Sequence, residues 1–322
     1  MARRILITGG LGFIGSNLAL RSLELGHEVT LLDNMSPEAG GNQANVEDFA
    51  ADLRILEGDI RDEDTCREAL VGQDVVFHCA ALTSHLGSMH NPRENVAVNC
   101  LGTITLLDAM RQYNPGSRFV YVGTSTQTGP MRTAKVDELH PEFPVDMYSA
   151  NKSAAEKYTL IYAKAYGLAT SVVRLANVYG PRAHIRNAQF GFVNFFIGLA
   201  LQGRDITIFG DGAQSRNLSY VSDCVEALFA AANAPEAIGE VFFAAADEHY
   251  SVAQIAAAIA ECLGGQVRFD PWPKERKAID VGDMLIDNQK IKQVLGWQPQ
   301  TGLRHGLAQT LAYYQARLDR YL

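Results

Sequence analysis

Between a short β-branched run, Ile5–Thr8, and a stretch of helical apolar spacing, Gly12–Leu25, the chain reads Thr8-Gly9-Gly10-Leu11-Gly12-Phe13-Ile14-Gly15. Glycines at 9, 12 and 15 let the backbone turn tightly, approach another group with no Cβ in the way, and present the N–H groups of a helix start. A chain that opens this way is committed to a strand–turn–helix unit. The alternation continues: Val29–Leu32, Leu53–Leu56, Val75–His78 and Phe119–Val122 read as further strands, with helical patterns such as Val96–Tyr113 between them. Nearly all-apolar strands alternating with helices predict an α/β, doubly wound parallel sheet (Rossmann type) covered on both faces.

At 322 residues the chain has room for about two domains. From about Gly180 the rhythm changes, with Gly210-Asp211-Gly212 and Pro271-Trp272-Pro273 punctuating shorter elements. The expected division is a dinucleotide-binding domain over 1–176 and a smaller C-terminal substrate lobe over 177–322, interleaved with the first. The segment Asn34–Asn45, rich in Ser, Pro, Gly and Asn, reads as a flexible loop after a strand end.

Lys plus Arg is 28 against 36 for Asp plus Glu, a formal charge of −8 that argues against nucleic acid or an anionic membrane as partner. No uncharged apolar stretch of about 18 residues is present, so no span is expected. Five cysteines without a C-x-x-C pair suit a reducing compartment, and the expected location is cytoplasmic. The eight histidines show no H-x-x-x-H spacing, and no metal site is expected. His78, ending a strand pattern, reads as structural.

The glycine turn suits a pyrophosphate, and the second strand ends 18 residues after Gly15 in Asp33-Asn34. A carboxylate there can accept from a ribose 2′-OH and would repel a 2′-phosphate, which points to NAD as cofactor. Tyr148 and Lys152, four apart on a helical stretch, share one face. Tyrosine is a poor base at its reference pKa of about 10, and a neighbouring ammonium that favours the phenolate makes it useful near neutrality.

With these come Gly58-Asp59-Ile60, Val76-Phe77-His78-Cys79-Ala80-Ala81, Asn99-Cys100-Leu101-Gly102-Thr103, the run Arg174 to Arg182 and Phe209-Gly210-Asp211-Gly212-Ala213-Gln214-Ser215-Arg216. In this ordered set the chain resembles, over almost its whole length, the extended short-chain dehydrogenase/reductase family in its NAD-dependent nucleotide-sugar epimerase and dehydratase branch. The resemblance implies a cofactor site of Gly9, Gly12, Phe13, Ile14, Gly15, Asp33, Asn34, Asp59, Ile60, Ala80, Ala81, Asn99, Tyr148 and Lys152. It implies Thr124, Tyr148 and Lys152 as the catalytic set. Thr124, Ser125, Thr126, Asn177, Arg216, Lys277 and Asp280 would meet the substrate.

Departures are informative too. Dehydratases of this branch follow the catalytic Thr with an Asp-Glu pair, and uronate decarboxylases carry a Glu two residues after it; here Thr124-Ser125-Thr126 stands instead. Without a carboxylate there is no evident acid or base for elimination. The branch's Arg-Pro-Gly-Asp appears as Lys277-Ala278-Ile279-Asp280 beside Arg276, leaving open which cation serves there. The expectation is C4 inversion of a UDP-hexose through a 4-keto sugar, with a 4-keto reductase, a dehydratase and a non-catalytic NAD-binding regulator as rivals. A homodimer is expected across the helices Val96–Tyr113 and Ser149–Tyr166. His184 stands where uronate-specific relatives place an Arg, with Arg186 two residues on, so a neutral hexose or N-acetylhexosamine is expected over a uronate.

Overall fold

A computed structural model describes residues 2–36 and 39–322; Pro37 and Glu38 of the Asn34–Asn45 loop lie outside the described residues. The strands are β1 (Arg4–Thr8), β2 (Glu28–Asp33), β3 (Leu53–Glu57), β4 (Val75–His78), β5 (Arg118–Thr124), β6 (Ala169–Leu175), β7 (Asn177–Tyr179), β8 (Ile206–Phe209), β9 (Ser215–Tyr220), β10 (Val241–Ala244), β11 (His249–Ser251) and β12 (Val267–Asp270). The helices that matter below are α1 (Phe13–Glu24), α2 (Glu63–Leu70), α3 (His85–His90), α4 (Pro92–Val96), α5 (Thr103–Tyr113), α6 (Met147–Tyr166), α7 (Phe192–Leu201), α8 (Val221–Asn233) and α9 (Val252–Leu263).

Seven strands form one parallel sheet in the order β10-β6-β5-β4-β1-β2-β3. The order reverses beside β1, so the crevice for a ligand opens at the carboxyl ends of β1 and β4. Strand pleating splits the core into two layers. Ile5, Ile7, Val75, Phe77, Val120 and Val122 pack under α1 and α8, whereas Leu6, Val76, Phe119 and Tyr121 pack under α2, α5 and α6. Each such fully buried aliphatic or aromatic side chain contributes roughly 1.5–3 kcal/mol of transfer free energy, which both faces need because neither meets water.

The stretch Val96–Tyr113, read from the sequence as one helix, is interrupted. A π turn over Ala97–Gly102 separates α4 from α5. Gly102 lies against Ile60, where a Cβ would meet Cδ1 at 2.6 Å, and Asn99 turns inward to bond the backbone of Leu82. Those tertiary contacts outweigh regular helix geometry, as they often do where a π turn serves a site.

The C-terminal part is interleaved with the sheet: α8 covers one face and β10 pairs with β6 at the edge. The remaining strands make two small sheets, β11-β9-β7 and β12-β8, which pack with α7 and α9 around a third apolar cluster. No helix among the described residues is long and apolar enough to cross a membrane.

Candidate active site

At the β1–α1 turn Gly9 adopts φ +66°, and its N–H donates to the Leu32 carbonyl at 2.8 Å. A Cβ on Gly9 would lie 2.8 Å from the Ala80 backbone, and one on Gly15 would lie 2.3 Å from the Gly9 carbonyl oxygen. Both distances are impossible for a real side chain, so the cradle exists only with glycine. Gly12 caps α1 without a side chain, leaving the first helical amides to an outside acceptor.

A cavity of about 330 Å³ runs over this turn and is lined by Gly9, Gly12, Phe13, Ile14, Gly15, Asp33, Asn34, Ile60, Ala80 and Ala81. Asp33, buried at the end of β2, accepts from the N–H groups of Leu11 and Met35, each at 3.0 Å. Burial pushes its carboxyl up, and those two amides hold it back. Asp59 does not line the cavity. It is held by Arg61 and by Asn34 (2.9 Å), and the Arg61 contact takes its carboxyl down to about 2. Arg61 itself lines the wall, a residue the sequence reading passed over. Asn99 is likewise outside the wall: its amide clamps Leu82 through both backbone groups at 2.9 and 3.0 Å, fixing the loop that carries Ala80 and Ala81.

The far end of the cavity holds Thr124, Ser125, Thr126 and Tyr148. Asp146 caps α6 by accepting from the Ser149 N–H at 2.8 Å, which sets Tyr148 in the first turn with its N–H on Ser88 Oγ at 3.0 Å. Thr124 hydrogen-bonds the Tyr148 hydroxyl. Burial raises that phenol to about 12, and the Thr124 bond opposes the rise. One turn further along α6, Lys152 is buried, donates to the Val122 carbonyl at 2.7 Å and sits 4.1 Å from the Tyr121 ring centre. Burial lowers its ammonium to about 7, while Cys79, Glu156 and Cys100 push the other way. His78 bridges Thr8 and Thr103 at 2.7 and 3.0 Å, and burial drives it down to about 3.

A second cavity, about 460 Å³, adjoins the first; His85, Thr126, Asn177 and Gln189 line both. Its wall carries Arg204, Arg216 and Arg276 together with Asp146, Asp205 and Asp280. Arg216 pairs with Asp280 at 3.0 Å and donates to the carbonyls of Ser215 and Gly282. Asn177 donates to the Asn217 carbonyl at 3.1 Å. Lys277 turns away: its ammonium lies 4.9 Å from the Trp272 ring centre, and neighbouring Arg276 takes the place on the wall. His184 lines the first cavity, stacked 4.5 Å from Phe190, whereas Arg186 donates to the Leu322 carbonyl and lines neither cavity.

Two further features escaped the sequence reading. Asp146 had a local signal, an acidic residue just ahead of an amphipathic helix, which is a helix-capping pattern. Its partner His85, 2.7 Å away, is 61 positions earlier and had none.

A glycine cradle, a buried carboxylate at the end of β2 and a Thr–Tyr–Lys set at the carboxyl edge of a doubly wound sheet are the features of a dinucleotide-dependent enzyme of the short-chain dehydrogenase/reductase type. Residues 5–253 match the model of the NAD dependent epimerase/dehydratase family, and the chain belongs to that family. It is 34% identical over 97% of its length to a UDP-glucose 4-epimerase of Mycolicibacterium smegmatis, of which 98% is covered. To UDP-glucuronic acid decarboxylase 1 of Xenopus tropicalis it is 31% identical over 98% of this chain and 73% of the relative. Among solved structures, a UDP-glucose 4-epimerase of Thermotoga maritima with UDP-glucose superposes with a TM-score of 0.89 at 31% identity, covering 98% of this chain and 99% of the other. The cofactor is NAD, and the cradle that a Cβ would fill fits it.

Proposed function

We propose that the chain inverts C4 of a UDP-hexose. The observation that carries this reading is the surroundings of Tyr148: it meets Thr124, and the positions after Thr124 hold Ser125 and Thr126 in place of carboxylates. Among the described residues, the carboxylates lining the first cavity are Asp33 and Glu94, and Glu94 is paired with Arg61 at 2.8 Å. Tyr148 therefore has proton chemistry available at a hydroxyl, the two positions after Thr124 offer no carboxylate to drive dehydration, and the nearby Asp146 is taken up by Ser149 and His85.

Bound NAD supplies the hydride acceptor, and later donor, for C4. Tyr148 takes the 4-hydroxyl proton and returns it, Thr124 holds that hydroxyl and the phenolic oxygen together, and the Lys152 ammonium favours the phenolate. Gly9, Gly12, Phe13, Ile14 and Gly15 cradle the pyrophosphate, while Asp33 and Asn34 meet the ribose end. Asn177 and Arg216 hold the sugar nucleotide's diphosphate, aided by Arg276. A redox-neutral cycle suits a cofactor that stays in place. With Arg186 tied to Leu322, His184 is left at the position of the uronate-binding arginine, which favours a neutral hexose or N-acetylhexosamine.

We also read the protein as a cytoplasmic homodimer. Its five cysteines are free, as a reducing compartment keeps them. Leu101 in the π turn before α5, Tyr113 at the end of α5, and Ile161 and Tyr166 on α6 stand exposed, apolar side chains suited to a four-helix contact with a second copy.

The test is incubation of purified protein with UDP-glucose, UDP-N-acetylglucosamine and UDP-glucuronate, with no added nicotinamide. The expected result is the C4 epimer from a neutral sugar with the higher kcat/KM. A pentose with release of CO2, a 4-keto-6-deoxy product, or dependence on stoichiometric nicotinamide would overturn the assignment.

A further inference from the structure

His85 opens α3 at the junction of the two cavities, its side chain 40% exposed. Its ring stands at 82° to that of Tyr148, with centres 5.0 Å apart. Nδ1 lies 2.7 Å from Asp146 Oδ2, and a carboxylate only accepts, so the proton sits on Nδ1. In the neutral imidazole Nε2 carries the lone pair, and it has no hydrogen-bond partner among the described residues. Asp146, with a side chain 1% exposed, also accepts from Ser149 Oγ at 3.1 Å. Ser149 Oγ reaches Thr126 Oγ1 at 2.9 Å, and Thr126 reaches Thr124 Oγ1 at 3.1 Å. A continuous run of hydrogen bonds thus holds the imidazole in fixed relation to the residue that grips Tyr148. An oriented base in a cleft, braced by a buried carboxylate, is an acid–base constellation in its own right.

We propose that His85, oriented by Asp146, moves a proton at the carbon next to the oxidised C4 of the bound sugar. A hexose C–H is not acidic, but beside a ketone it becomes so. Nε2 takes the C–H proton, the C–H electron pair forms the carbon–carbon double bond, and the carbonyl π pair moves onto the C4 oxygen. Tyr148, carrying the proton it took from the 4-hydroxyl, donates to that oxygen. The reverse steps return the ketone. No oxidant is consumed, and the product is a sugar with an exchanged hydrogen, or one inverted at that carbon when the proton returns from the other face. The imidazole thereby supplies, from α3, proton chemistry that no carboxylate after Thr124 provides.

The inference rests on the epimerase reading only for the source of the ketone, and a ready-made ketone separates the two. Holoenzyme in D2O is given UDP-4-keto-6-deoxyglucose, and carbon-bound deuterium at C3 and C5 is followed by NMR and mass spectrometry against an enzyme-free control. Label uptake well above the control is expected. His85→Asn should lower it by about 10²-fold, and added imidazole should restore part of it in His85→Ala. Asp146→Asn, which keeps an acceptor for the helix cap, should lower it too and serves if the His85 variants fail to fold. Uptake no faster than in buffer, or equal uptake in wild type and His85→Asn, overturns the proposal. UDP-glucose on the same preparation reports C4 inversion: uptake without inversion sinks the epimerase reading alone, and inversion without uptake sinks this one alone.

Discussion

Lys152 should make the cofactor-free protein less stable than a variant that lacks its charge. The ammonium is 4% exposed and its pKa falls from 10.5 to about 7 on burial. A folded-state pKa below the unfolded one means that the unfolded chain binds more protons between those values, so stability rises with pH across that window. Below about pH 7 both states are protonated and the full penalty applies; above the unfolded value it vanishes. Integrated over the shift, the penalty is on the order of 5 kcal/mol near pH 6 and about 2 kcal/mol near pH 9. Lys152→Met keeps the length of the side chain but leaves the Val122 carbonyl without its 2.7 Å donor, a loss of about 1–3 kcal/mol. A net gain of roughly 2–4 kcal/mol is therefore expected at pH 6, shrinking by about 2–3 kcal/mol toward pH 9. Urea unfolding of both proteins at the two pH values, without NAD, measures it. A variant no more stable at pH 6, or a difference that does not narrow with pH, would show that the ammonium is not held against its preference. The same variant should lose turnover, the mark of a site held at the expense of stability.

Tyr148→Phe keeps the ring and removes the proton carrier, so turnover should drop by about 10²-fold or more while calorimetry still registers substrate binding; near-native turnover would reassign the base. Asp33→Ala should weaken NAD and relax rejection of NADP, and an unchanged ratio of the two affinities in titrations of stripped protein would count against the ribose contact. Ile161→Glu places a charge on the outer face of α6 and should convert a dimer to the 35.1 kDa monomer in light scattering; a wild-type protein already monomeric at micromolar concentration would remove the dimer from the account.

Much of the sheet was legible because strands buried on both faces announce themselves as short apolar runs, and the ends of β1, β4 and α1 fall within a residue of their sequence boundaries. The glycine turn carried its own reason, since its spacing is the sterics of the cradle. What stayed hidden was decided by contacts distant in the chain. The π turn before α5 depends on Ile60 and Leu82, neither of which marks the local pattern. Lys277 and Arg276 are adjacent cations, and only the turn of the short helix Lys274–Ala278 decides which faces the cavity. Asp59 and Asn99 stand beside the cofactor cavity rather than on it, because each spends its side chain on bracing a neighbour.

The pairing of β10 with β6 has a consequence for the growing chain. When Leu175 has been made, six strands of the large sheet exist, but β6 lacks the neighbour that arrives only at Val241–Ala244. At about 5–20 residues per second the intervening stretch takes roughly 3–13 seconds to synthesise. Throughout that interval an apolar, parallel-pairing edge with Val172 and Val173 at its centre is presented to the crowded interior of the cell. The nascent protein should be most vulnerable to mispairing, and most reliant on chaperones, during translation of the segments that line its second cavity.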